Sequence, residues 1–154
     1  MQQVAISACL LGENCKYNGE NNLKKELIAQ LRQNDVQLIA FCPEDTLFGT
    51  PRPTMDLILI DKKIEAQSNQ SRELLTNSIQ QYAQNFFDKH PHIEVFIGKS
   101  RSPSCGVGTT KLYDEQKNLI SNQSIGIMAN EAKKRGIQII DSEEPPKEEN
   151  EKYN

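Results

Sequence analysis

No Cys-x-x-Cys pair occurs in the chain, so the usual dithiol redox motif is absent. No GxxxxGK[ST] stretch occurs either: "CGVGTTK" superficially resembles a phosphate loop, but the spacing is wrong and Lys111 is followed by Leu112. No cysteine has an arginine six positions on; Cys15 stands six past Cys9, and Lys111 six past Cys105. No apolar run approaches membrane-spanning length, which argues against a membrane partner. The start "MQQVAISACLLG" lacks the basic lead of a signal peptide, and Ser7 and Cys9 interrupt its apolar stretch, so a cytoplasmic location is expected. Positive charge is not in excess: the formal net charge is −3 and the pI near 5.5, which disfavours a general nucleic-acid-binding surface. Histidine is scarce, and His90 and His92 in "DKHPHIE" read as a helix-ending turn rather than a metal pair.

What is present fits one α/β domain over 1–144, followed by an acidic, proline-containing tail at 145–154 that is expected to be disordered. Four apolar runs read as strands: "VAISA" (4–8), "VQLIAF" (36–41), "IEVFIG" (93–98) and "IQII" (137–140). Their near-continuous apolar character suits strands covered on both faces. Helical spacing separates them. "NNLKKELIAQLRQN" aligns Leu23, Leu27, Ile28 and Leu31, with Asn22 as an N-cap. "SRELLTNSIQQYAQNFFDKH" aligns Leu75, Ile79, Tyr82 and Phe86 and stops at His90-Pro91. "SIGIMANEAKKRG" aligns Ile125, Met128, Ala129 and Ala132, with Gly136 at its C-terminal cap. The alternation predicts a Rossmann-like or flavodoxin-like fold with a mainly parallel sheet in the order 2-1-3-4. The piece "DLILIDKKIEAQ" (56–67) reads as an extra hairpin or edge strand.

The chain has four cysteines, and three of them follow predicted strands: Cys9 after the first, Cys42 after the second, Cys105 in the loop after the third. Ligands of parallel α/β sheets bind beyond the carboxyl ends of the strands, so these loops should converge. Each cysteine has loop-forming company, with Gly12 and Gly19, then Pro43, Gly49, Pro51 and Pro53, then Pro103, Gly106 and Gly108. Glycine lets backbone approach a bulky ligand, and an iron–sulfur cluster held by thiolates is such a ligand. The blander reading is three unrelated buried thiols. Cys15, in a polar loop, is either a fourth ligand closing the site or a packed thiol. A closed site is structural or electron-transferring, whereas an open metal position can act as a Lewis acid.

"SACLLGENCKYNG", "CPE" followed by "TPRP", and "KSRSPSCG" followed by "LYDEQKN", in this order over roughly residues 3 to 144, resemble the thiouracil desulfurase family. The resemblance implies a [4Fe-4S] cluster held by Cys9, Cys42 and Cys105, with one open iron. It further implies non-redox desulfuration of a thiolated nucleobase such as 2-thiouracil: the substrate sulfur binds the open iron, water attacks, C=S becomes C=O and hydrosulfide leaves. Glu44, two past Cys42, matches the family's catalytic glutamate and is the expected proton shuttle. Ser102 matches a site serine. Ser100 and Ser104 are weaker candidates for the substrate, because serine-rich turns often satisfy only their own backbone. Arg52 is expected to hold either its loop or a substrate carbonyl. The expected partner is a small thiolated compound, with thiolated tRNA left open as a carrier of the base. The chain departs from the family pattern after "CPE", where "DTLFG" replaces a Gly-Gly pair, at Asp56 and at Glu115. Those departures fall on the substrate pocket rather than the cysteines. The alternative class is a non-catalytic zinc or iron–sulfur module for binding or redox sensing.

Overall fold

The computed structural model describes residues 1–143. The expected tail at 145–154 lies outside the described residues. The chain order is β1 (Gln2–Ser7), a 3-10 turn (Ala8–Leu11), α1 (Lys25–Gln33), β2 (Val36–Phe41), α2 (Pro43–Phe48), β3 (Met55–Ile60), β4 (Lys63–Ser68) and α3 (Thr76–Lys89), then β5 (Ile93–Gly98), β6 (Thr110–Tyr113), β7 (Leu119–Ser124), α4 (Ile127–Lys134) and β8 (Gln138–Asp141). None of the described helices is long and apolar enough to cross a membrane.

The four runs read as strands form one sheet in the order β2-β1-β5-β8, with every pair parallel. This is the expected 2-1-3-4 order. Side chains alternate across a strand, so its two faces feed two cores. Val4, Ile6, Val95 and Ile97 pack with Leu27 and Leu31 of α1. Ala5, Phe41 and Phe96 pack with Ala83 and Phe87 of α3 and Met128 and Ala132 of α4. The sheet is thus sandwiched between helices, which is why its strands can be apolar throughout.

Each long helix starts later than its apolar spacing suggests. Backbone amides ahead of α1 are already committed: Asn22 N–H donates to Cys9 O and Lys24 N–H to Leu10 O, at 2.9 and 3.0 Å. Asn22 therefore runs alongside the 3-10 turn instead of capping the helix. Ahead of α3, Ser68 N–H donates to Glu73 O and Leu75 N–H to Ala66 O, so residues 73–75 pair with β4. His90 ends α3 as expected.

A second four-stranded sheet, β4-β3-β6-β7, goes beyond the sequence reading. Its β3–β4 hairpin is the ambiguous 56–67 segment, antiparallel from Met55↔Ser68 to Ile60↔Lys63. Strand β6 joins β3 in parallel and β7 joins β6 antiparallel. Met55, Leu57, Ala66 and Leu112 of this sheet pack on Ile79 of α3 and Ile127 of α4.

Candidate active site

Strands β1, β2 and β5 end side by side, so the segments leaving them share one rim. A cavity of about 440 Å³ lies there, lined by Cys9, Cys15, Cys42 and Cys105 together with Glu44, Arg52, Ser102 and Ser104. Its wall also includes Met55, Asp56 and Leu57 of β3 and Thr110, Lys111 and Tyr113 of β6. The first sheet therefore presents the thiols, and the second supplies another part of the wall.

The Cys105 loop is fixed by close backbone approach. A Cβ on Gly98, at the end of β5, would lie 1.7 Å from the Cys105 carbonyl oxygen. A Cβ on Gly126 would lie 2.6 Å from the Cys105 nitrogen. Because no side chain intervenes, the start of α4 reaches the loop: Ile127 N–H donates to Pro103 O at 3.0 Å and Met128 N–H to Ser104 O at 2.7 Å. These bonds satisfy amides that a helix start otherwise leaves free. They also place Ile125, expected within the helix, ahead of it. From the other side, buried Asp141 accepts from Val107 N–H at 3.0 Å and Thr109 Oγ1 at 2.8 Å.

Cys42 is the residue before α2, a short helix where the sequence suggested a loop. Glu44 lies in its first turn and points into the cavity rim. Ser104 Oγ donates to Glu44 Oε2 at 2.7 Å, and Ser102 Oγ donates to the same oxygen at 3.3 Å. Both serines reach the carboxylate, and each has a further partner. Ser102 Oγ accepts the Ser104 and Cys105 backbone amides, at 3.2 and 3.0 Å. Ser104, fully buried, bridges Glu44 and the Cys105 sulfur, which is 3.2 Å away. Ser100 is not brought to the cavity: it is buried, and its amide donates to Ser142 Oγ at 2.8 Å.

Arg52 is spent largely on backbone and loop. Its Nη2 donates to Cys15 O and its Nη1 to Thr50 Oγ1, both at 2.8 Å. Its Nε faces Glu44 Oε1 at 3.5 Å and has no hydrogen-bond partner. Asp56 lines the cavity 3.6 Å from Lys117 Nζ, and Glu115 is exposed in the turn beyond β6.

Burial dominates the thiols. It pushes Cys9 up to about 11 despite the Lys99 ammonium nearby. It also raises Cys15, Cys42 and Cys105, the last against a hydrogen bond shared with Ser104. Lys99 is itself held below the usual ammonium range by burial, offset in part by Cys9. As bare groups these sulfurs stay protonated, and a bound metal centre supplies the positive charge that stabilises thiolates. Among the described residues no three His, Cys, Asp or Glu groups converge as a single metal ion requires. Four cysteines lining one cavity form an all-sulfur donor set, the kind that soft metals and iron–sulfur groups take. Lys16, Lys99, Arg101 and Lys111 also line the cavity and oppose the negative charge such a centre brings. Sequence reasoning passed over these cations, although Lys99 and Arg101 stand within the same serine-rich stretch as Cys105.

The family described as 2-thiouracil desulfurase matches residues 4–144. No curated protein matches the chain. A solved structure described as a [4Fe-4S]-dependent thiouracil desulfidase, TudS, superimposes with a TM-score of 0.73 at 24% identity, over 93% of this chain and 92% of that one. At that identity the likeness speaks for the fold. The family match takes in both sheets and every residue of the cavity wall, and the chain belongs to the 2-thiouracil desulfurase family.

Proposed function

We propose that the chain is a [4Fe-4S]-dependent desulfurase that converts the C=S of a thiolated nucleobase such as 2-thiouracil to C=O, with water as co-substrate and hydrosulfide as product. The observation that carries this reading is Glu44, a carboxylate held at 2.7 Å by Ser104 inside a cavity lined by thiols. Cys9, Cys42 and Cys105 would hold the cluster, one from each of three adjacent strand ends. When bound, the cluster supplies a thiophilic Lewis acid that draws electron density from the thiocarbonyl carbon.

The chain's own residues handle the protons and the orientation. Glu44 accepts a proton from the water as its oxygen attacks carbon, then returns one to the departing sulfur. Ser104 fixes which carboxylate oxygen is free by occupying Oε2. Ser102 holds the Cys105 turn through two amides. Arg52 ties the Cys15 segment to the Glu44 helix, and its Nε leaves Oε1 electrostatically balanced. The net change is one water consumed and one hydrosulfide and one proton released, with no electrons exchanged.

Anaerobic reconstitution tests the reading. The loaded protein should contain iron and acid-labile sulfide and release hydrosulfide from 2-thiouracil. Glu44→Gln should keep the iron and lose the release. A protein that stays colourless and takes up only zinc under competent reconstitution would refute the cluster.

A further inference from the structure

Cys15 is the thiol for which the proposed reaction has no use. It is buried beside Cys9 and Leu10, and its backbone oxygen lies 3.8 Å from the Cys42 sulfur. Across that gap the Cys42 S–H donates to the Cys15 carbonyl oxygen. A second cavity of about 330 Å³, walled by Glu13, Asn14, Asp45, Thr46 and Tyr82, reaches the same pair. Among the described cysteines, only Cys15 and Cys42 line both cavities. The pair can therefore be approached by a route that bypasses Cys9 and Cys105. All four cysteines are free thiols in this structure.

We propose that in the cluster-free protein Cys15 and Cys42 form a reversible disulfide, which withholds Cys42 from the cluster until it is reduced. The bond stands on the contact between the two residues; its effect on loading rests on the function proposed above. The oxidant class is a low-molecular-weight disulfide such as oxidised glutathione. The Cys42 sulfur, on the residue that is half-buried where Cys15 is buried, attacks one glutathione sulfur and expels one glutathione thiolate. The Cys15 sulfur then attacks Cys42 in the mixed disulfide and expels the second glutathione. Two protein thiols lose two electrons and two protons, and the two glutathione molecules receive them. Cys15 is thus the resolving thiol. It spares Cys42 from irreversible oxidation while the site has no metal.

The test uses reduced, cluster-free protein treated with oxidised glutathione without oxygen. Intact mass should show the loss of two hydrogens, thiol titration should fall by half, and a non-reducing peptide map should join the Cys15 and Cys42 peptides. Cys15→Ala and Cys15→Ser should instead retain one glutathione on Cys42. A pre-loaded [4Fe-4S] carrier protein, offered without free thiol or sulfide, should transfer no iron to the oxidised wild type until it is reduced. Pairing between other cysteines, no disulfide in the wild type, or equal iron uptake before and after reduction would overturn the proposal. Reduced protein that accepts no iron would overturn the proposed function and the gate with it, while the peptide map still decides the bond.

Discussion

Replacing Gly98 by alanine tests how the cysteine turn is held, without reference to any cofactor. The added methyl meets the Cys105 carbonyl oxygen at 1.7 Å and its carbonyl carbon at 2.8 Å. Non-bonded heavy atoms are comfortable at about 3.5–4 Å, so something must move by a large part of that distance. Neither side moves freely. Gly98 O accepts from Ser142 N–H at 2.8 Å, and Gly98 pairs with Asp141 of β8. The turn is bound to the start of α4 through Pro103 O and Ser104 O. Overpacking costs about 1–3 kcal/mol, and a lost buried backbone hydrogen bond about as much again, giving roughly 2–5 kcal/mol. For a chain of this size that lowers the melting temperature by roughly 5–15 °C. Thermal unfolding of the cluster-free protein by circular dichroism measures it. Gly136→Ala is the comparison: φ is +78° there but nothing lies within 4 Å, so only about 1–2 kcal/mol of left-handed strain is expected. If Gly98→Ala melted no lower than Gly136→Ala, the claim that backbone contact at Gly98 fixes the turn would be wrong.

Three further outcomes follow from the same contacts. Glu44→Gln should retain iron and sulfide content but lose roughly 10²–10⁴-fold in the rate of hydrosulfide release, measured under saturating 2-thiouracil. Ser104→Ala removes the shorter of two hydroxyl hydrogen bonds to Glu44, worth about 1.5–3 kcal/mol, so turnover should fall roughly 10- to 100-fold with Ser102 alone left on the carboxylate. Asp141→Ala strips acceptors from Val107, Thr109 and Glu143, and should destabilise the fold by about 2–4 kcal/mol in urea titrations.

The parallel sheet was readable because its strands are apolar on both faces, a pattern that few other elements produce. The convergence of Cys9, Cys42 and Cys105 followed from the strand order alone. The second sheet was half visible: the β3–β4 hairpin carries an apolar run, but β6 has four residues and β7 reads "LISNQS", mostly exposed. Helix α2 was hidden by its brevity and by the glycine and prolines around it. Helix starts were misplaced where amides belong to tertiary partners, as at Asn22 and Leu75. That Ser104 shares Glu44 with Ser102 was beyond sequence, since both stand in the same turn and only their distances to the carboxylate distinguish them. Gly98 and Gly126 carried no turn signal. Their reason is a neighbouring backbone that no local pattern records.

The cavity wall has two origins, and this bears on how relatives of the chain can diverge. The thiols hang from the ends of the parallel sheet, whose turn is welded to α4. Met55, Asp56, Leu57, Lys111 and Tyr113 come from the other sheet, which rests on the helices through Ile79 and Ile127. Selection, or an engineer, can therefore exchange wall side chains on β3 and β6 to admit a differently shaped thiocarbonyl compound. On the proposed function, exchanges at uncharged Met55, Leu57 and Tyr113 would leave the thiols and the cations in place, so specificity and cofactor chemistry could drift at separate rates within one small protein.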